Sequence, residues 1–462
     1  MTGFVELSSP RGRAVVLAAT LGSGMAMLDG TVVNVALREL GTDLDASLAQ
    51  LQWITNGYFL TLAGLILLGG ALGDRWGRRR VFELGVVLFA VSSLLCGLAP
   101  TAEVLIGARV VQGIGGALLT PGSLAILQSV FVPADRARAI GTWSGMASFA
   151  TAFGPLFGGL LIEVSWRLIF LINLPLAVLT LVVARRAVPE TRDESATGRF
   201  DVVGAVLAVL ALGSTTYGLI EWGRFAALWL GLGGLALMVF FVWWERRTPR
   251  PMMPTSLFGS VQFSAANAMT FVVYAALGAM MFFLVLQLQT SLGWSPLAAG
   301  LATLPISVCM LLLAGRGGAY GERVGPRIPM TVGPLVMAFG TAWLALVDAG
   351  DGYVLHVLPG LVIFGLGLAL MVAPLTATVL AAVPDNRAGV ASGINNAVAR
   401  AGSLLAVAAL PVLVGLSGDD YAVPALFSDG YQAAMLLCAG LLAAGGLISW
   451  LLIRTPGQPA AR

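Results

Sequence analysis

The length of its apolar runs constrains this chain more than any other feature. About 20 residues pass with few charges, a short break rich in arginine, proline and glycine follows, and the pattern recurs to the end. Such a run is what an α-helix needs to cross a hydrocarbon core, where only a helix or a closed barrel satisfies its own backbone. Of 462 residues, 58% are hydrophobic and 11% charged, against about 25% charged in a soluble domain. The chain reads as an all-α polytopic membrane protein whose surroundings are a lipid bilayer.

Charge, proline and glycine punctuate fourteen candidate helices, over 14–37, 52–73, 81–99, 103–127, 138–162, 166–185, 202–221, 226–244, 262–288, 297–316, 328–347, 355–379, 388–415 and 431–453. Connections are mostly short, so consecutive helices alternate in direction. No lysine occurs, and with the N-terminus inside, 21 of the 26 arginines fall on one side, Arg199 and Arg462 among them. Arg38, Arg167 and Arg224 fall on the other. Basic residues collect on the cytoplasmic side, so both termini are expected there. The first run follows Arg11 and Arg13 as a signal peptide would, but it lacks a cleavage site and contains Asp29 and Asn34. It reads as a retained helix.

Several classes drop out. The net charge of +3 comes from arginines in short loops and implies no nucleic-acid partner. Cys96, Cys309 and Cys438 lie within apolar runs at no metal or redox spacing. His356 is the only histidine, which excludes a histidine metal site. No cofactor is expected.

One charged stretch is written twice. Gly70–Arg79 and Gly318–Arg327 share six identities and an Asp-for-Glu exchange in ten positions, 248 residues apart. Val132–Ala137 and Val383–Ala388 echo each other at an offset of 251. Both pairs are eight helices apart, an even shift that gives the copies the same orientation. The expected architecture is a six-helix bundle over 1–190, two inserted helices over 191–255 and a second bundle over 256–462. Parallel six-helix repeats with a substrate site between them are a transporter construction. Gly73 and Gly77 permit a tight turn at the first copy, and Asp74 is placed to cap a helix or to pair with an arginine. The arginines serve topology. The acid and the glycines point further, to a gate latch.

These residues resemble the major facilitator superfamily, in particular its fourteen-spanner drug–proton antiporters. Gly70, Asp74, Arg75, Gly77 and Arg78 are similar to the signature loop between helices 2 and 3, with Glu322 and Arg323 in its echo. Leu28–Leu37 resembles the helix 1 signature, with Arg38 where proline is usual. Arg109, Gln112, Gly113, Gly115 and Gly116 look like the helix 4 signature. Gly154, Pro155, Gly158 and Gly159 look like the antiporter signature of helix 5. Trp166–Pro175 is similar to the stretch opening helix 6. The resemblance implies export of hydrophobic or cationic small molecules driven by inward proton flow, from a bacterial cytoplasmic membrane, by a protein working as a monomer.

Asp29, Arg109 and Arg400 lie well within spans, where a charge costs about 2.5–3.5 kcal/mol even on the mild insertion scale. At 1.5 Å per residue Asp29 lies roughly 13 Å and Arg109 roughly 9–12 Å below the outer surface. The two are expected to pair, either as a static structural bridge or, as the family pattern implies, as the proton-coupling site. Shifting them by about 250 residues reaches Ala279 and Gly360, so this chemistry belongs to the first half and substrate shaping to the second. Asn34, Gln112, Tyr274, Gln287 and Asn395 are expected to line the substrate cavity. Arg400 is expected to meet a carbonyl or the substrate. The glycines around Pro155 serve close packing or seal the cavity against proton leak. The helices over 202–221 and 226–244 carry no buried charge and read as peripheral, with Trp222, Trp229, Trp243 and Trp244 as interfacial anchors.

A proton-coupled drug exporter is the reading these features favour, and an exporter dedicated to one natural product, lipid or siderophore is the alternative. A membrane enzyme or non-transporting sensor is the remote one, since no catalytic motif is present.

Overall fold

The structure is a computed structural model and describes residues 4–193, 200–384 and 387–454. Arg199 and Arg462, counted above for topology, and Asp385–Asn386 of the second echo lie outside the described residues.

The chain is helical almost throughout, in two compact units, Met1–Pro254 and Thr255–Arg462. In the first unit run α1 (Pro10–Asp43), α2 (Leu48–Trp76), α3 (Arg78–Gly97), α4 (Ala102–Val130), α5 (Pro133–Ile162), α6 (Leu168–Ala187, interrupted at Ile172), α7 (Val202–Ile220) and α8 (Phe225–Arg247). In the second run α9 (Val261–Thr290), α10 (Pro296–Val324), α11 (Arg327–Leu344), α12 (Tyr353–Ala381), α13 (Ala388–Leu413) and α14 (Pro424–Leu452). Among the described residues, 12 helices are long and apolar enough to cross a membrane. The other two of the fourteen expected spans fall on α5, whose described apolar part is Phe153–Ile162, and on α11, 18 residues that include Arg327, Pro329 and Pro334.

Capping follows the sequence. Ser47 accepts from the Gln50 amide while Gln50 returns a bond to the Ser47 backbone, a capping box that starts α2. Ser9, Thr101 and Ser260 cap α1, α4 and α9 through their hydroxyls.

In each unit two helices meet through a pair of glycines. A Cβ on Gly85 of α3 would stand 3.1 Å from the Gly115 carbonyl oxygen of α4, and one on Gly115 equally close to that of Gly85. The counterparts at the repeat offset are Gly333 of α11 and Gly367 of α12, at 2.8 and 2.4 Å from each other's carbonyl oxygens. Gly69 lies against the Ala117 carbonyl, as Gly317 lies against that of Ala369. Small residues where backbones must touch are the usual device of membrane helix packing. The duplication is therefore visible in packing as well as in loops.

α5 continues as a helix through Pro155 and lies against α1, where a Cβ on Gly154 would meet Thr31 Oγ1 at 2.4 Å and one on Gly158 would meet Val32 at 2.7 Å. Gly159 is buried. Of the next two helices, α7 packs on α2, with Gly64 against Val209 and the Trp53 ring 6.3 Å from that of Tyr217, and α8 packs on α7. Trp222, Trp229 and Trp243 are exposed. Trp244 instead donates its indole N–H to Asp201 Oδ1 at 2.9 Å. The expectation that this pair carries no buried charge is corrected: Glu245 is 1% exposed. α8 runs past residue 244, and the linker behind it folds back over its end.

Close approach makes some glycines indispensable and leaves others free. A Cβ at Gly113 of α4 would sit 2.3 Å from the Tyr58 carbonyl oxygen and 2.2 Å from Thr61 Oγ1, whereas one at Gly107 would meet nothing within 4 Å. Gly113→Ala is expected to destabilise the protein by about 1–3 kcal/mol through overpacking. Gly107→Ala is expected to be neutral or stabilising by up to about 1 kcal/mol through helix propensity. Thermal unfolding of the purified variants in detergent checks the opposite signs.

Candidate functional site

The charged pair expected from depth alone is formed. Asp29 of α1 and Arg109 of α4 are each 1% exposed, and Arg109 Nη1 donates to Asp29 Oδ2. Gln112, one turn along α4 on the same face, donates through Nε2 to Asp29 Oδ1 at 2.9 Å and to Ser93 Oγ of α3 at 2.9 Å. Its Oε1 accepts from Arg109 Nη1 at 2.7 Å. Arg109 Nε donates to the Ile54 carbonyl of α2 at 3.0 Å, and Asn173 Nδ2 of α6 donates to Ser93 Oγ at 3.2 Å. Five helices of the first unit thus meet at one ion pair.

Aromatic rings complete the seat. The Arg109 guanidinium carbon lies 4.4 Å from the Tyr58 ring centroid and 5.8 Å from that of Phe170. The Tyr58 hydroxyl donates to the Ala26 carbonyl at 3.0 Å, tying α2 to α1. Gly116 leaves room for that ring, since a Cβ there would be 3.2 Å from the Tyr58 hydroxyl. A desolvated guanidinium over an aromatic face gains about 2 kcal/mol or more.

Both Asp29 oxygens accept hydrogen bonds, one from Arg109 and one from Gln112. If Asp29 takes a proton, Arg109 keeps the Ile54 carbonyl, Gln112 Oε1 and the Tyr58 ring. Gln112 therefore holds both the acid and its counter-ion. It is fully buried. Ser93, Tyr58 and Asn173 were not singled out as site residues. Asn173 Oδ1 remains without a partner.

The first charged loop is tied to the segment after α6. Gly77 has φ +110° and links α2 to α3 directly, as Gly325 with φ +83° does between α10 and Pro326. Only glycine adopts such values without strain. Asp74 pairs with Arg78, the first residue of α3, whose Nε and Nη2 donate to Asp74 Oδ1 at 3.0 and 2.8 Å. The capping role falls to Glu190 instead, whose oxygens accept from the Arg79 and Arg80 amides at 3.1 and 3.2 Å. Backbone bonds from Arg78 to Thr191 and from Asp193 to Asp74 add two rungs. The Arg75 guanidinium lies over the Phe200 ring at 5.0 Å. In the second copy Glu322 and Arg323 are exposed and form no ion pair among the described residues. Arg327 there donates to the Trp450 carbonyl at 2.8 Å.

The expected substrate contacts are scattered. Gln287 is fully buried and bonded to Ser428 Oγ at 2.6 Å and to Ser291 Oγ at 2.9 Å. Asn395 is half-buried and donates to Thr270 Oγ1 at 2.8 Å and to Asn267 Oδ1 at 3.2 Å. Tyr274 and Arg400 are half-buried electrostatic neighbours, and Asn34 is half-buried on α1. At the positions matching Asp29 and Arg109 stand Ala279, fully buried in α9, and Gly360 in α12. Among the described residues no group of three or more His, Cys, Asp or Glu is placed to hold a metal ion.

Removing one member of a buried ion pair leaves the other uncompensated, at a cost of about 3–5 kcal/mol. Asp29→Asn and Arg109→Met are each expected to lower stability, and the double variant to lose less than the sum. A double-mutant cycle by thermal unfolding in detergent reads this; additive losses would mean the two are not coupled.

Known proteins agree with this description. The family model described as Major Facilitator Superfamily matches residues 19–407 and again 268–462. The tetracenomycin C resistance and export protein of Streptomyces glaucescens is 37% identical over 438 residues, 93% of this chain and 80% of the relative. A multidrug resistance protein of Mycobacterium tuberculosis, Stp, is 36% identical over 405 residues, 86% of this chain and 74% of the relative. Among solved structures, a bacterial homolog of the human lysosomal transporter Spinster, inward-facing and unoccupied, superposes with a TM-score of 0.72 at 19% identity, covering 96% of this chain and 97% of that one.

Proposed function

The chain belongs to the major facilitator superfamily of transporters, and from that membership we propose that it exports hydrophobic or cationic small molecules in exchange for protons. The observation that carries the reading is the buried Asp29–Arg109–Gln112 cluster: one ionisable acid, held in the first unit, with no counterpart at Ala279 and Gly360. The names of the two relatives, a resistance and export protein and a multidrug resistance protein, support the substrate class. Fourteen spans and both termini in the cytoplasm belong to the same proposal, on the arginine distribution, and a place in the bacterial cytoplasmic membrane and a monomeric working unit belong to it on the family membership.

In this mechanism Asp29 carries the proton. Its carboxyl is buried against the guanidinium of Arg109, its counter-ion. A conformational change that alters the Arg109 distance tips the balance, and substrate and proton move in opposite directions by alternating access. One proton moving inward down 100 mV supplies about 2.3 kcal/mol, enough for roughly a 40-fold concentration ratio of a neutral substrate. Specificity belongs to the second unit, where Gln287, Asn395, Tyr274 and Arg400 are the polar candidates together with Asn34 and Gln112 in the first. A second reading, export of a single natural product, draws on the relative named for tetracenomycin C. Proton release stimulated by many unrelated dyes favours the broad exporter, and a response to one chemical class favours the dedicated one.

Proteoliposomes with an imposed pH gradient test the coupling. Asp29→Asn is expected to bind substrate and to lose gradient-driven accumulation; uphill export by that variant would remove Asp29 from the coupling step.

The charged loop is the proposed gate. Asp74→Asn is expected to slow exchange between inward- and outward-open states with substrate affinity nearly intact. Glu322→Gln should be milder, since its carboxylate pairs with no described residue. Single-turnover transport rates against equilibrium binding separate the two effects, and a fast Asp74→Asn would refute the gate.

A further inference from the structure

The proposed coupling cycle leaves one buried acid unused, at the arginine-rich end of α7 and α8. Glu245 is 1% exposed. Its Oε2 accepts from the Met253 amide at 2.9 Å, while its Oε1 has no hydrogen-bond partner. Asp201, the N-cap of α7, accepts through Oδ1 from the Gly204 amide at 2.8 Å and from the Trp244 indole at 2.9 Å. Its Oδ2 is also buried without a partner. The two orphan oxygens converge on one point: a Cβ on Gly204 would stand 2.5 Å from Glu245 Oε1 and 2.6 Å from Asp201 Oδ2. Both bare oxygens thus lie within 2.6 Å of that one point.

Two carboxylates cannot stay there both ionised at tolerable cost. Like charges in one site repel, and each buried acceptor without a donor has given up its water with nothing in exchange. One proton removes both penalties, because the hydroxyl of one acid donates to the bare oxygen of the other. Such a pair titrates as a unit. Among the described residues, Arg246, Arg247 and Arg250 follow Glu245 in the chain, and Arg75 of α2 lies over Phe200, the residue before Asp201. Arg247 lies over the Trp243 ring at 5.1 Å. None of the four donates to the two orphan oxygens.

We propose that Asp201 and Glu245 form a second proton-binding site, distinct from Asp29, whose single shared proton fastens the start of α7 to the end of α8. The site also holds the linker. Met252 and Met253 pack on the apolar cluster of Leu207, Ala208 and Phe241, and the Met253 amide is bound by Glu245 itself. The second unit begins at Thr255. The fastening is present while the proton is bound and is lost as the pH rises and the proton leaves, freeing the chain between the units. That the site samples cytoplasmic pH rests on the orientation proposed above; the shared proton does not.

Infrared difference spectroscopy of the full-length protein in lipid, titrated with pH in H2O and in D2O, reads the proton directly. A protonated-carboxyl C=O band is expected, lost in Glu245→Gln and in Asp201→Asn and retained in Asp29→Asn. Glu245→Gln keeps a donor for Asp201 Oδ2, so its fold is expected to survive. Gly204→Ala, which removes no acid, is expected to drive the carboxyls apart and weaken the band. A band that survives both carboxyl substitutions, or its absence from the wild type, would overturn the proposal. So would suppression of the band by Na+, Mg2+ or Ca2+ alone at constant pH, because the site would then hold a cation. Failure of Asp29→Asn to transport leaves these outcomes untouched, so the two readings fall separately.

Discussion

Inside a bilayer a polar group has no water to fall back on, so each one must find its partner within the protein. The ion pair between Asp29 and Arg109 is the most demanding case in this chain, and much of the first unit is arranged around it. A guanidinium offers five donors and a carboxylate about four acceptor sites. Satisfying them takes Gln112 from the same helix, the Ile54 carbonyl from α2, Ser93 from α3 and, behind it, Asn173 from α6. Helices can come close enough to supply these groups only where side chains are small. Gly113 against the Tyr58 carbonyl and Gly85 against Gly115 provide that closeness.

The gross design was legible because membrane solvent leaves few choices. Apolar runs marked the helices, arginines suggested sides, and two echoes exposed the duplication. Depth counting along α1 and α4 was enough to bring Asp29 to Arg109, since a charge in hydrocarbon must pair and only one opposite charge lay at that level. The neighbours of the pair were not legible in the same way. Ser93 sits in an apolar run where a serine reads as small filler, and only the packing of α3 on α4 turns it toward Gln112. Glu190 lies 111 residues from the amide it caps, a distance no local pattern spans. Glu245 was missed because the expected span stopped at residue 244, one short of the acid, and burial came from a linker that doubles back.

The duplication separates scaffold from chemistry. Both units keep a glycine crossing, Gly85 with Gly115 and Gly333 with Gly367, and both keep a helix junction on a glycine of positive φ, Gly77 and Gly325. These are geometric requirements, so a copy that lost them would not pack. The ionisable residues carry no such requirement and have diverged: Asp29 and Arg109 answer to Ala279 and Gly360. The fixed loop has diverged as well. Asp74 is paired and Glu190 caps the helix behind it, whereas Glu322 and Arg323 stand exposed.

The inserted helices complete the asymmetry. The first of them, α7, packs on α2, whose Ile54 carbonyl accepts from Arg109 and whose Trp53 ring lies 6.3 Å from that of Tyr217. The helix that meets α7 is thus one of those that seat Arg109. Acids in such a pair are costly, and a purely apolar end would pack as well at lower cost. Glu245 is buried and Asp201 half-buried, and each has one buried oxygen without a partner aimed at the same gap. A methyl group on residue 204 would stand 2.5 Å from one bare oxygen and 2.6 Å from the other, too close for either. Glycine there leaves the space that a proton between two oxygens needs.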